Sequence, residues 1–496
     1  MMETRHPWRA LVVLLVGQSV VLLDTTVVNV AIPNMIASLH ASIDAILWVT
    51  NGYVLVYAAL IITGGRLGDI YGQRRLYLTG LAVFVVASAF CGAAQNPGQL
   101  IAARVMQGIG AALLTPQSLA IIVHIFPVDR RPAALSVWGA VAGMAGAVGP
   151  TVGGLLVAAL DWRWIFYVNL PIGIGAFCLS LAWLPTAKSS GKTQPLDLVG
   201  TALVTSGLLL ISYGLIEGEP HHWGRVWGPI TIPMMFVAGA IVLGLFVLYE
   251  RGRQERGPLL PFEILQDRNF RLMSVAVAAL PWAFGALLFL TLFHLQLGLG
   301  MSARDAGLTM AVAPLVSGLV AMRSGRLIDR YGGKRMLLVG FGLLALGIAA
   351  VAVAVRPGGG WWHLLPGLVI VGFGMGVGGS PAAIIAMHNI AATVRGAASG
   401  VFNMTRLSGT LLGGAAVGAL LQVRLDAAGI HPDVLQAGIV QAELRQGFTE
   451  SLQLTYLMPI AALVAGILLT LGVRPYEQVE VATVVAVPAT DRGGTQ

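Results

Sequence analysis

Charge is scarce in this sequence. Asp, Glu, Lys and Arg make up 10% of its 496 residues, against about 25% in a soluble domain. So little charge cannot cover a water-facing surface, which excludes an ordinary soluble protein. Cysteine is scarce as well. Cys91 and Cys178 both lie in apolar runs, so the sequence does not indicate a disulfide-stabilised fold.

Motifs for enzymatic chemistry are missing too. The chain has no complete Gly-x-x-x-x-Gly-Lys-Ser/Thr phosphate-binding loop, and the glycine run at residues 372–376 lacks the strand and helix of a nucleotide site. His124, His363 and His388 stand alone, without the spacing of metal ligands. We therefore expect no enzyme, no bound ATP as an energy source, no metal site and no cofactor.

Long apolar runs, by contrast, are abundant. Hydrophobic residues make up 56% of the chain and the mean hydropathy is +0.81. Many runs reach the roughly 20 residues that a helix needs to cross a hydrocarbon core about 30 Å thick. The sequence thus predicts an all-α polytopic membrane protein. The net charge of +8 fits cytoplasmic loops rich in Lys and Arg better than it fits nucleic-acid binding.

We predict fourteen membrane spans. They cover about residues 9–33, 46–65, 76–95, 98–124, 132–159, 164–184, 196–217, 227–250, 270–296, 303–323, 334–356, 362–388, 396–423 and 451–473. With the N-terminus inside, 22 Lys and Arg residues fall on the cytoplasmic side and six outside, while Arg104 and Arg406 lie within the membrane. This asymmetry predicts that both termini are cytoplasmic.

A polar segment occurs twice. Residues 64–75 (GGRLGDIYGQRR) return as residues 324–335 (SGRLIDRYGGKR), with seven identities in the eleven positions that start at Gly65 and Gly325. Each copy separates two membrane-length runs, which indicates an internal duplication. The copies are eight predicted spans apart, whereas two six-helix halves would separate them by six. We therefore predict that spans 7 and 8 are inserted at the middle of the chain.

The predicted organisation has four parts. They are a six-helix bundle (1–190), two inserted helices (191–255), a second six-helix bundle (256–475) and a disordered cytoplasmic tail (476–496).

The repeated segment resembles the loop signature of the major facilitator superfamily in Gly65, Leu67, Asp69, Gly72, Arg74 and Arg75. Residues 23–33 (LDTTVVNVAIP) and 162–171 (WRWIFYVNLP) resemble the fourteen-span drug:proton antiporter branch of that family. The resemblance implies two pseudo-symmetric six-helix bundles plus two central helices in a bacterial plasma membrane. It also implies export of bulky amphipathic compounds such as drugs or antibiotics, in exchange for protons and by alternating access. We expect a monomer.

Two alternatives keep part of this interpretation. The same fold can serve an exporter or symporter of a metabolite, an amino acid or a lipid. A membrane receptor that binds a ligand without moving it is a different class, and it is disfavoured because the sequence contains no sizeable polar domain.

Asp24 is the acidic residue that lies deep inside a predicted span. An ionised carboxylate in hydrocarbon costs about 2.5 kcal/mol or more, which makes it a functional candidate. Arg104 lies at nearly the same depth, and residues 100–110 resemble the span-4 signature whose Arg is implicated in proton coupling. Our hypothesis is that Asp24 exchanges a proton and substrate while Arg104 tunes its protonation. The alternative is a permanent ion pair that only joins two helices.

Small residues recur in span 5. Gly146, Gly149, Pro150, Gly153 and Gly154 resemble the antiporter signature of the family. The alternative is close helix packing, which small residues allow in any membrane protein.

A central substrate cavity is also predicted, since apolar walls with a few polar groups suit bulky amphipathic ligands. Its candidate residues are Asn29, Asn51, Tyr53, Tyr57, Gln107, Trp282, Phe289, Phe402, Asn403 and Arg406. For Arg406 the sequence is compatible with three roles: a bond to backbone carbonyls, a substrate contact or a closing salt bridge. A single deep carboxylate favours neutral or monocationic substrates over dications.

A cytoplasmic gate is the last prediction. A charge cluster that holds the cytoplasmic side shut would involve Gly65, Asp69, Arg74, Arg75, Asp129, Arg130, Asp329 and Arg335. The alternative is a tight glycine turn flanked by positive residues that anchor the loop.

Overall fold

The computed structural model describes residues 7–127, 130–185, 197–218, 220–254, 258–379, 381–390, 395–430, 440–441 and 443–474. These residues form a helical bundle with one two-stranded hairpin. The predicted tail 476–496 and Asp129 lie outside the described residues.

The first half of the chain consists of helices. They are α1 (Pro7–Leu39), α2 (Ile43–Tyr71), α3 (Gln73–Ala93), α4 (Pro97–Ile125), α5 (Arg131–Ala159), α6 (Trp164–Tyr167) and α7 (Asn169–Trp183). Asn96 caps α4 by accepting a hydrogen bond from the Gln99 amide at 2.9 Å, as expected of an Asn at that position.

The inserted segment pairs two helices, α8 (Leu198–Ile216) and α9 (Ile232–Arg251). Strands β1 (Arg225–Trp227) and β2 (Ile230–Thr231) form an antiparallel hairpin between them. The sequence analysis did not predict this hairpin.

The second half is more broken. Its helices are α10 (Phe262–Gln266), α11 (Arg268–Ala276), α12 (Ala279–Phe293), α13 (Ala303–Met310), α14 (Val312–Tyr331), α15 (Gly333–Ala354), α16 (Leu365–Gly378), α17 (Pro381–Met387), α18 (Arg395–Ala427), α19 (Arg445–Thr455) and α20 (Leu457–Leu471). A π-helical turn (His294–Gly298) extends α12, and a 3₁₀ turn (Trp361–Leu364) precedes α16.

The predicted count of fourteen spans is not confirmed. Within the described part of the chain, twelve helices are long and apolar enough to cross a membrane. The other two predicted spans, 132–159 and 303–323, fall on α5 and on α13 with α14. In α5 the described apolar stretch is shorter, Val148–Ala159.

The repeated polar segment is almost entirely helical. α2 continues to Tyr71 and α3 begins at Gln73, so Gly72 alone separates them. Gly72 has φ +95°, and its counterpart Gly332 between α14 and α15 has φ +82°. Side chains other than glycine are strained at such φ values, so the conserved spacing of the repeat reflects a single-residue turn.

The duplication extends into the helix packing. A Cβ on Gly80 of α3 would lie 2.8 Å from the Gly110 carbonyl oxygen of α4. In the second half, a Cβ on Gly340 of α15 would lie 3.2 Å from the Gly374 carbonyl oxygen of α16. Equivalent residues of the two halves are thus 260 positions apart for α3 and α15 (340 − 80) and 264 positions apart for α4 and α16 (374 − 110). We call these two contacts the glycine seams.

The two halves meet at the end of the bundle away from Gly72 and Gly332, which is the predicted outer end. There α2 packs antiparallel to α18: Leu47 contacts Gly418, and the Asn51 amide oxygen would lie 3.0 Å from a Cβ on Gly414. On the other side, the start of α13 packs on the end of α5.

Candidate functional site

Asp24 and Arg104 form a buried ion pair. Asp24 is 0% exposed and Arg104 is 1% exposed, and the guanidinium donates a hydrogen bond to Asp24 Oδ2. Arg104 also donates to Gln107 Oε1 at 2.7 Å and, through Nε, to the Val49 carbonyl at 3.1 Å. Its guanidinium lies 4.2 Å from the centre of the Tyr53 ring. Arg104 is therefore held by three acceptors and an aromatic face.

Two amides complete the surroundings of the carboxylate. Gln107 Nε2 donates to Asp24 Oδ1 at 2.9 Å, and Asn169 Nδ2 donates to the same oxygen at 3.2 Å. With Arg104, the carboxylate accepts three N–H groups. Both oxygens of the Asp24 carboxyl group therefore face hydrogen-bond donors.

Ser88 joins the two amides from behind. Its hydroxyl accepts from Asn169 Nδ2 at 3.0 Å and from Gln107 Nε2 at 3.3 Å, and it donates to the Phe166 carbonyl at 2.9 Å. We call Asp24, Ser88, Arg104, Gln107 and Asn169 the carboxylate network. Its polar atoms are satisfied with one exception, because Asn169 Oδ1 is buried without a partner.

Four helices assemble the carboxylate network. Asp24 comes from α1 and Ser88 from α3, Arg104 and Gln107 share one face of α4 at i and i+3, and Asn169 is the first residue of α7. The sequence analysis missed Ser88 and Asn169 as site residues. The available signal was a polar residue inside an apolar span and, for Asn169, its place in the segment 162–171.

Among the described residues of the second half, three positions equivalent to members of the carboxylate network are apolar. The offsets of the glycine seams lead from Ser88, Arg104 and Gln107 to three buried apolar residues, namely Ile348, Leu368 and Val371. At these equivalent positions the first half therefore has polar side chains, whereas the second half has apolar ones.

Helix α5 contacts α1 immediately beyond Asp24. A Cβ on Gly149 would overlap the Thr26 hydroxyl, and one on Gly153 would lie 3.0 Å from the Val27 carbonyl oxygen. The predicted small residues of span 5 thus allow close packing. Gly146 lies in the part of α5 whose side-chain surroundings the structure does not describe.

The same helix reaches the second half of the chain. A Cβ on Gly154 would overlap the Ala303 carbonyl oxygen, and the Pro150 carbonyl oxygen would lie 2.5 Å from a Cβ on Gly307. Helix α5 is therefore in contact with the Asp24 helix on one side and with α13 on the other.

The predicted cavity residues of the first half have different surroundings. Gln107 belongs to the carboxylate network, and Tyr53 packs on Arg104 and donates to the Val21 carbonyl at 3.4 Å. Tyr57 donates to Thr115 Oγ1 at 3.0 Å. Two further residues are Asn29, which donates to carbonyls of its own helix, and Asn51, whose Nδ2 is buried without a partner.

The predicted cavity residues of the second half lie on α12 and α18. Trp282 packs against Gly413 of α18, while Phe289 lies 4.8 Å from Phe293 on its own helix, centre to centre. Three others share α18: Phe402 is buried, and Asn403 and Arg406 are half-buried.

The predicted gate falls partly outside the described region. Asp129 is not described, nor are the side chains of Asp69 and Asp329. Arg74 donates to the Leu181 carbonyl of α7 at 2.6 Å, and Gly65 packs on Pro116 of α4. The remaining three residues, Arg75, Arg130 and Arg335, are exposed.

Comparison with known proteins identifies the family. The model of the Major Facilitator Superfamily matches residues 14–414. The chain is 36% identical to the "Probable actinorhodin transporter" of Streptomyces coelicolor, over 83% of this chain and 72% of that protein. It is 31% identical to the "Tetracenomycin C resistance and export protein" of Streptomyces glaucescens, over 85% of this chain and 77% of that protein.

A solved structure shares the fold. It is a bacterial homolog of the human lysosomal transporter Spinster in an inward-facing, unoccupied conformation, with a TM-score of 0.64 and 16% identity over 96% of this chain and 100% of that one. Helical architecture, family model and relatives agree. The chain belongs to the Major Facilitator Superfamily, and it is a membrane transporter of a small molecule, not an enzyme.

Proposed function

We propose that this protein is a proton-coupled antiporter that exports bulky amphipathic compounds, among them drugs or antibiotics, by alternating access. The observation that carries the proposal is the carboxylate network, with a buried acid paired to Arg104 in one half of a duplicated bundle. The names of the relatives, which describe an antibiotic transporter and an antibiotic export protein, support the cargo class.

Protonation would change the network in a definite way. A neutral Asp24 no longer offsets the charge of Arg104, and its new O–H group needs an acceptor. Asn169 supplies one, because its Oδ1 is buried without a partner and rotation of the amide exchanges donor for acceptor. Loading a proton therefore weakens the contact between α1 and α4 and reorients the first residue of α7.

Helix α5 gives this change a route to the second half. It packs on Thr26 and Val27, two and three residues beyond Asp24, and its far end packs on Ala303 of α13. A shift of α1 on protonation would move the α5 contact that closes the predicted outer end. Proton binding and opening of that end would then be coupled through packed backbone.

The remaining parts of the proposal come from the sequence. We propose fourteen membrane helices, with α5 and α13–α14 as the two beyond the twelve, arranged as bundles in 1–190 and 256–475 around the insert 191–255. The protein would act as a monomer in the bacterial plasma membrane with both termini in the cytoplasm. It would need no cofactor, since the proton gradient supplies the energy.

Transport in proteoliposomes tests the proposal. We expect a pH gradient to drive uptake or release of compounds from a panel of dyes and antibiotics, and a protonophore to abolish it. D24N should retain substrate binding yet lose gradient-driven transport, whereas the control E263Q, at an exposed acid, should match the wild type. Full proton-driven transport by D24N would refute the role of Asp24.

A further inference from the structure

Helix α18 carries a polar face. Ser399, Asn403, Arg406 and Thr410 follow one another at intervals of four, three and four residues, so they share one side of the helix, and all four are half-buried. Among the described residues, their side-chain hydrogen bonds return to the same helix: Asn403 donates to the Ser399 carbonyl at 3.0 Å and Thr410 to the Arg406 carbonyl at 3.4 Å. These side chains are available to a ligand.

Arg406 is the charge on this face. It lies eight residues, or about 12 Å, into the apolar stretch Ala398–Ala427. Within the described part of the chain, its guanidinium has no hydrogen-bond acceptor and no carboxylate partner. An arginine stays charged in proteins, and an unpaired cation at this depth is costly. A partner that arrives with the substrate would remove that cost.

The first half faces Arg406 with an aromatic ring. In the antiparallel packing of α2 on α18, Leu47 is level with Gly418 and Asn51 with Gly414, which brings position 57 level with position 408. Tyr57 is accordingly two residues from the level of Arg406 along the helix pair. Beside it, Gln18 is buried with Oε1 lacking a partner. A cation, a ring and an unused acceptor thus converge between the halves.

The sign of the charge decides the cargo. Asp24, which was expected to exchange a proton and substrate, is fully engaged by Arg104 and two amides. Among the described residues of α18, Arg406 carries a positive charge that has no counter-ion. A guanidinium binds a carboxylate through two parallel hydrogen bonds, and a flat apolar body attached to that acid would lie against Tyr57.

We propose that Arg406 binds the acid group of the substrate, so that this protein exports amphipathic organic acids in preference to neutral or cationic compounds. The inference rests on the proposed antiport and adds the substrate class to it. It replaces the expectation of neutral or monocationic cargo.

A matched pair of compounds tests the inference. The probes are a fluorescent aromatic carboxylate and its methyl ester, which share one ring system and differ in charge. In proteoliposomes with a pH gradient, we expect kcat/KM for the acid to exceed that for the ester by about tenfold or more, as for a charge-assisted hydrogen bond. R406Q should remove this preference by lowering transport of the acid while leaving the ester near its wild-type rate.

Controls separate charge recognition from folding. R406K keeps the charge without the planar fork and should recover part of the acid preference, and R356Q removes a charge from an exposed loop position and should leave the preference intact. The Kd of each probe can be measured in detergent by tryptophan fluorescence. In R406Q we expect the Kd of the acid to rise and that of the ester to stay unchanged.

Equal transport of acid and ester by the wild type, or an unchanged Kd for the acid in R406Q, would overturn the inference while gradient-driven export stood. Absence of gradient-driven transport for every compound tested, cations included, would instead overturn the proposed function and the inference with it.

Discussion

Gly154 near the end of α5 lies directly against the backbone of Ala303, the first residue of α13, and a Cβ on Gly154 would overlap the Ala303 carbonyl oxygen. No side chain separates the two helices at this point. The contact lies at the predicted outer end, where α5 and α13 join the two halves through backbone packing.

We predict that G154A disturbs this contact. The added methyl group has to displace backbone, so the halves should separate at the predicted outer end and gradient-driven transport should fall about tenfold, as for an overpacked contact costing 1–3 kcal/mol. A cysteine at Gln296, which is buried and donates to the Val30 carbonyl at 3.0 Å, should react faster with a membrane-impermeant maleimide in G154A. G244A is the control, because a Cβ on Gly244 meets nothing within 4 Å. Equal labelling in both variants would contradict the prediction.

Asn169 offers a test of the carboxylate network that does not remove the charge. N169A takes one donor from the ionised Asp24 and an acceptor from the protonated form. Losing a hydrogen bond to a charged group costs about 1.5–3 kcal/mol, so the dependence of transport on pH should differ between N169A and the wild type. N169D should alter the profile differently by adding a second acid. S206A, whose hydroxyl bonds to its own helix, should keep the wild-type profile, and an unchanged profile in N169A would argue against its role.

The glycine seams make a prediction about stability. G340A places a methyl group 2.5–2.8 Å from the backbone of Gly378, so we expect a loss of about 1–3 kcal/mol and a lower Tm in detergent. G342A, two residues further along α15, meets nothing within 4 Å and should be neutral or slightly stabilising, since alanine favours helix over glycine. A Tm for G340A as high as that of G342A would contradict the prediction, because it would show that the two helices can move apart at little cost.

A second pair of carboxyl groups lies where the inserted helices end. Asp197 caps α8, and the side chain of Glu250 ends beside it. A Cβ on Gly200 would lie 2.7 Å from one oxygen of each of these two carboxyl groups. Burial acts to raise the pKa of Asp197, but hydrogen bonds from Glu250 and the Gly200 N–H, with the charge of Arg253, outweigh it and hold this pKa below its usual value.

The sign of this shift predicts the effect of acid. Ionised Asp197 stabilises the folded state above its unfolded pKa of about 3.9, and that contribution disappears as the pH falls through the lowered folded value. D197N should therefore lose stability at neutral pH and show a smaller further loss on acidification than the wild type. E250Q, which keeps a donor for Asp197, should retain a near wild-type Tm, whereas E250A should not. Parallel acid profiles for D197N and the wild type would contradict the assignment.

The sequence allowed the prediction of the helical membrane class, the internal repeat and the family, because apolar runs and spacing record them directly. It also placed Asp24 and Arg104 at nearly one depth, and the structure brings them into contact. Depth along a helix follows from counting residues, at 1.5 Å each.

Other features depend on how the helices are rotated, which counting does not give. Asn169 donates to Asp24, and Ser88 bonds to the two amides that hold Asp24, because α7 and α3 turn one particular face toward the site. A polar residue inside an apolar span does not by itself show which way it faces. The repeated segment was predicted to be a loop, whereas its backbone is helix on both sides of Gly72. The predicted count of fourteen spans is not confirmed at α5 and α13. Small and polar residues pack one helix against the other there, and they make these stretches less apolar.

The glycine seams have a further consequence for how such a protein diversifies. Both halves keep the backbone contact that sets helix geometry, yet Leu368 and Val371 stand where the first half has Arg104 and Gln107. Under the proposed antiport, substitutions in α12 and α18 would change which compound is transported and leave the carboxylate network of the first half untouched. Variants selected for a new compound should accumulate there, while the first half stays nearly invariant.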